Sequence, residues 1–61
     1  MTVQIDNESR RSIGFVTRVI AGILDDYHVF GNYSAGTIYE GDLKIEWRTE
    51  DDILIFTVTD W

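Results

Sequence analysis

Leu43-Lys44-Ile45-Glu46-Trp47-Arg48, followed after four polar residues by Ile53-Leu54-Ile55-Phe56-Thr57-Val58-Thr59, decides the fold. In the first run apolar and charged residues alternate with a period of two, the pattern of a β-strand with one buried face. The second run is rich in β-branched residues and apolar on both faces, which also favours a strand. Thr49–Asp52 between them reads as a four-residue hairpin loop. That loop length pairs Arg48 with Ile53, Trp47 with Leu54, Ile45 with Phe56 and Leu43 with Val58. It gathers Leu43, Ile45, Trp47, Leu54, Phe56 and Val58 on one face.

Upstream, Glu40-Gly41-Asp42 is a tight-turn sequence, so Thr37–Glu40 forms a further strand that adds Ile38 to the apolar face. Residues 28–36, His-Val-Phe-Gly-Asn-Tyr-Ser-Ala-Gly, mix aromatics with turn formers, and a short strand near Val29–Tyr33 is one reading of them. Before them the period changes. Ile13, Val16, Ile20, Ile23, Leu24 and Tyr27 recur at three- and four-residue steps, the mark of an amphipathic helix, with Phe15 and Val19 widening the stripe. Asp6, Asn7 and Ser9 offer N-caps, which places the helix at about residues 9–26. Val3 and Ile5 alternate with polar neighbours and mark a first strand at about 2–6.

The expected architecture is therefore α+β and a single domain over residues 1–61. One amphipathic helix (9–26) packs on one face of a small antiparallel sheet of three to four strands (2–6, 37–40, 43–48, 53–59). Gly14 and Gly22 each cost the helix about 1 kcal/mol relative to alanine, which suggests that some element approaches its outer side closely.

One helix covers one face of a sheet. The other face collects Tyr39, Lys44, Glu46, Arg48, Ile53, Ile55 and Trp61, with Thr57 and Thr59 among them. Aromatic and aliphatic anchors inside a charged rim describe a protein-binding surface, and these seven residues are the candidate contact site.

Composition narrows the remaining choices. At 61 residues with no cysteine, the chain has neither disulfides nor most kinds of zinc site to supplement a small core. Self-association or a partner is the expected support. The net charge is −6, with residues 25–61 carrying −7 and residues 1–24 carrying +1. Phosphate contacts need a basic footprint, so direct nucleic-acid binding is not expected, and a partner with a basic surface is. No apolar run is long enough to span a bilayer. The first six residues show neither a basic start nor an apolar stretch, so a soluble, cytoplasmic protein is expected.

No catalytic chemistry is legible. His28 is the single histidine and has no nucleophile motif around it. Asp25-Asp26 and Glu50-Asp51-Asp52 lack calcium-loop spacing, and the glycines lack the context of a phosphate loop. The expectation is a non-enzymatic, cofactor-free and metal-free protein-binding module. By size and charge it is of the kind that inhibits a larger basic protein, as phage-encoded inhibitors and immunity or antitoxin proteins do. The alternatives are a nucleic-acid mimic that blocks a DNA- or RNA-binding protein, and a self-associating accessory subunit forming a homodimer.

Overall fold

The computed structural model describes residues 2–27 and 35–61. The chain runs β1 (Thr2–Asn7), α1 (Ile13–Tyr27), β2 (Ala35–Glu40), β3 (Leu43–Glu50) and β4 (Ile53–Asp60). The four strands form one sheet in the order β1-β4-β3-β2. The strand suggested near Val29–Tyr33 and the single histidine, His28, lie outside the described residues.

The architecture is the expected α+β: one helix on one face of a four-stranded sheet. The sheet, however, is mixed. β2, β3 and β4 pair antiparallel, whereas β1 pairs with β4 in parallel. The cause is the connection. Two hairpins make β2 and β4 point the same way, and a strand–helix–strand crossover returns the chain to a strand parallel to the first. β1 and β2 are thus parallel edge strands, and the helix links them across the two central ones.

The β3–β4 hairpin is tighter than its sequence suggests. Glu50 pairs with Ile53, so the turn is the two residues Asp51-Asp52, with Asp51 in the left-handed region at φ 56°. Aspartate tolerates that conformation because its short carboxylate can bond locally. Thr49 and Glu50 therefore belong to the strand, and every pair shifts by two residues: Arg48 faces Ile55, Trp47 faces Phe56 and Ile45 faces Val58. A shift of two returns each side chain to the same face, whereas a shift of one would have exchanged them. The β2–β3 turn is Gly41-Asp42, with Gly41 at φ 59°.

The core lies where the apolar stripe of the helix meets this face. Val16, Ile20 and Ile23 are buried against Leu43, Ile45, Leu54, Phe56 and Val58, with Ile5, Val19, Leu24, Ile38 and Trp47 packed round them. Trp47 leans toward Phe56, ring centroids 6.1 Å apart, and its indole occupies the space over Gly36, its cross-strand partner. A Cβ built on Gly36 would stand under 3.0 Å from three Trp47 ring atoms. Glycine is required there by the close approach of a side chain.

The helix begins at Ile13, later than the caps at Asp6, Asn7 and Ser9 implied. Ser12 is the N-cap: its Oγ accepts from Phe15 N (3.2 Å) and its carbonyl from Val16 N (3.0 Å). Asn7 and Ser9 instead organise the connection. Asn7 Oδ1 accepts from Ser9 N and Ser9 Oγ (3.0 and 2.6 Å), and Asn7 Nδ2 donates to the Arg11 carbonyl (2.8 Å). Ser9 Oγ in turn accepts from Arg11 N at 3.2 Å. Glu8 N donates to the Val58 carbonyl at 2.7 Å, one further rung beside β4. The close approach expected at Gly14 and Gly22 is not made by any described residue, since a Cβ at either position would have nothing within 4 Å.

Candidate functional site: the open sheet face

The strand registers fix what the helix leaves uncovered. Four transverse rows cross the open face. They are Tyr39–Lys44–Thr59, Thr37–Glu46–Thr57–Asp6, Ala35–Arg48–Ile55–Gln4, and Glu50–Ile53–Thr2. Of the seven candidate residues, Tyr39, Lys44, Glu46, Arg48, Ile53 and Ile55 stand in these rows. Trp61 follows β4 and reaches the same face.

Tyr39 and Trp61 are brought together. Their ring centroids are 4.5 Å apart with planes tilted by 53°, yet the residues remain 51% and 72% exposed. Trp61 N donates to the Asp42 carbonyl at 2.9 Å, which ties the end of β4 to the β2–β3 turn and holds the indole beside Tyr39. Large aromatics left this exposed mark a surface suited to contact.

Ile55 behaves differently. It is on the open face but only 6% exposed. Arg48 and Gln4, its neighbours in the row, flank it on either side, and long polar side chains cover apolar surface with their stems. It is therefore a support for the face and not an accessible anchor. Ile53 is partly buried at the end of the same strand. The continuous apolar patch expected from Tyr39 to Ile53 is thus divided. An aromatic pair occupies one end, isoleucines the other, and charged residues of β3 lie between.

Those charges are balanced. Lys44 Nζ lies 3.7 Å from Glu46 Oε1, and Arg48 Nε donates to Glu50 Oε2 at 3.3 Å. Exposed pairs of this kind add little stability, on the order of 0–1 kcal/mol, but they set the local potential. Unlike the whole chain, the open face along β3 carries equal numbers of each sign. Between the rows, Ala35, Thr37, Glu46, Arg48 and Thr57 line most of a shallow depression of about 330 Å³. Glu50, Gln4 and Asp6 belong to this face too. Glu50 was hidden by the longer loop assumed for the hairpin, and the β1 residues by the unassigned pairing of that strand.

A second group lies at the aromatic end. Arg11 grips Asp42 through Nε–Oδ1 (3.3 Å) and Nη2–Oδ2 (2.8 Å), and its guanidinium carbon sits 5.1 Å from the centroid of the Phe15 ring. Arg10 N donates to Asp60 Oδ1 at 3.1 Å, with Arg10 Nε 3.7 Å from Asp60 Oδ2. These contacts pin the connection before α1 to the open end of the β3–β4 hairpin, where Leu43 pairs with Asp60. The hydrogen bond from Arg11 is the main reason the Asp42 carboxyl is held below its ordinary value, with Arg11 charge and a backbone hydrogen bond acting in the same sense. The four residues and Trp61 line a second shallow depression.

Among the described residues, no three His, Cys, Asp or Glu side chains are placed to hold a metal ion. None of the described helices is long and apolar enough to cross a membrane. The fold is a helix packed on a mixed four-stranded sheet, and comparison of the chain with protein families, curated proteins and solved structures returns no match.

Proposed function

We propose that this chain is a small, non-catalytic protein-binding module that makes contact through its open sheet face. The observation that carries the reading is the Tyr39–Trp61 pair, two large aromatics in mutual contact yet exposed on the face the helix does not cover. Aromatic residues of this kind dominate binding energy at interfaces when a partner desolvates them. The row of alternating Lys44, Glu46, Arg48 and Glu50 along β3 supplies register and selectivity.

The finer reading is an inhibitor or adaptor that occupies a surface on a larger protein. Glu8, Asp25, Glu40, Asp51 and Asp52 are all exposed away from the open face. They leave the remaining surface acidic and favour rapid encounter with a basic partner. Nucleic-acid mimicry is less well supported, because Asp42, Asp60, Glu46 and Glu50 each stand in an ion pair with a base of the same chain.

The test is affinity capture with immobilised wild-type chain and with a Tyr39→Glu/Trp61→Glu variant, washed at low and high salt. A partner retained by wild type in both washes, and lost from the variant, is the expected result. The same proteins retained by both baits would remove the open face from the reading.

A further inference from the structure

We infer that the open face takes a second copy of this chain, related by a two-fold axis that lies between the two sheets, perpendicular to β3, and passes midway between Glu46 and Arg48. The inference rests on the binding-module reading, since it names the occupant of the same face. Charge order carries it. The open-face positions of β3 read Lys44, Glu46, Arg48, Glu50, alternating in sign over the length of the strand. Turning such a series about its midpoint sets every charge against its opposite. Lys44 meets Glu50 of the second copy, and Glu46 meets its Arg48. An axis parallel to β3 would instead set each charge against itself. A foreign protein would have to supply a matching series, whereas a second copy carries one by construction.

The other strands obey the same operation. The row of Glu46 overlies the row of Arg48, so Thr37 comes over Ala35, Thr57 over Ile55 and Asp6 over Gln4 of the second copy. Small side chains meet small or apolar ones, and a carboxylate meets an amide. Within one chain Gln4 Nε2 already donates to Asp6 Oδ1 at 3.2 Å, so the two groups are suited to each other. The row of Lys44 overlies the row of Glu50, so Thr59 of one copy comes over Ile53 of the other. The depression lined by Thr37, Glu46, Arg48 and Thr57 lies beside the axis, where it receives long side chains of the second copy.

The face is small. Four strands at about 4.8 Å spacing and a run of about 20 Å along β3 give a footprint of about 400 Å² per copy. That is about 800 Å² in total, below the roughly 1,200–2,000 Å² of stable specific interfaces, so the pair is weak and depends on concentration.

The experiment is light scattering across a hundredfold dilution for wild type, Arg48→Glu, and the exchange variant Glu46→Arg/Arg48→Glu. These side chains are exposed and outside the core, and circular dichroism checks that each variant folds. Wild type should pass from two chains to one on dilution. Arg48→Glu sets acid against acid at both central positions and should move dissociation to a concentration about tenfold higher or more. The exchange variant regenerates opposite charges at every position and should dimerise as wild type does. A single chain at every concentration, a dimer indifferent to Arg48→Glu, or no recovery on exchange would overturn the inference. None of these results touches the binding-module reading, which falls only if the Tyr39→Glu/Trp61→Glu bait captures what wild type captures.

Discussion

Replacing Gly36 with alanine should destabilise this domain, although alanine is ordinarily the better strand residue. The added Cβ would stand under 3.0 Å from three atoms of the Trp47 indole, which is itself packed among core residues and tilted against Phe56. Either the indole turns away or β2 moves outward. Overpacking of this kind costs typically 1–3 kcal/mol. Reduced backbone freedom in the unfolded chain returns about 0.4–1 kcal/mol. The net loss is about 1–2 kcal/mol, equivalent to a melting temperature lower by about 4–16 °C in a domain of this size. Gly22→Ala is the matched control. It makes the same chemical change on the outer side of α1, where a Cβ meets nothing within 4 Å, and should stabilise by about 0.5–1 kcal/mol. Urea unfolding followed by far-ultraviolet circular dichroism measures both. Trp47 fluorescence in a Trp61→Phe background reports whether the indole has moved. Equal effects at the two glycines, or a stabilising Gly36→Ala, would refute the close packing on which the argument depends.

Two further outcomes follow from the connection between β1 and α1. Ser12→Ala removes the oxygen that accepts from Phe15 N and should cost about 1 kcal/mol in urea unfolding, the usual loss at an N-cap. Asp42 has its folded pKa lowered, chiefly by the Arg11 hydrogen bond, so the unfolded chain takes up its proton first as the solution is acidified. The stability it contributes is therefore complete above its ordinary value of 3.8 and is lost as pH falls through the folded value. Denaturant titrations through this acid range should show that loss in wild type and a flatter dependence in Asp42→Asn.

Much of the fold was legible because the two periodicities are clean. The helical stripe from Val16 to Ile23 and the alternation from Leu43 to Arg48 each bury the side they should. The faces of the sheet were read correctly despite the wrong hairpin length, because the error was two residues and side chains alternate with a period of two. The turn was hidden because Asp51-Asp52 lacks the glycine that usually marks a two-residue hairpin, with Asp51 taking the left-handed conformation itself. The direction of β1 was implicit in the strand–helix–strand order, but its place beside β4 is a long-range choice that no local pattern encodes. The start of the helix was misplaced because Asn7 and Ser9 are good caps in isolation, and the geometry of the connection uses them elsewhere. In the candidate site, the membership of the face followed from alternation alone. Exposure did not, because the burial of Ile55 depends on which side chains stand beside it in neighbouring strands, Arg48 and Gln4.

The central claim is that the sheet face away from α1 is where this domain meets another protein chain. Its most direct test is the fluorescence of Trp61 in a Trp47→Phe background, followed as the chain is concentrated and as any captured protein is added. The emission, red-shifted and readily quenched by acrylamide in the dilute chain, should move to the blue and become protected when a contact forms. A Trp61 that stays solvent-exposed and fully quenchable while another chain is bound would place the contact elsewhere and rule out the open face.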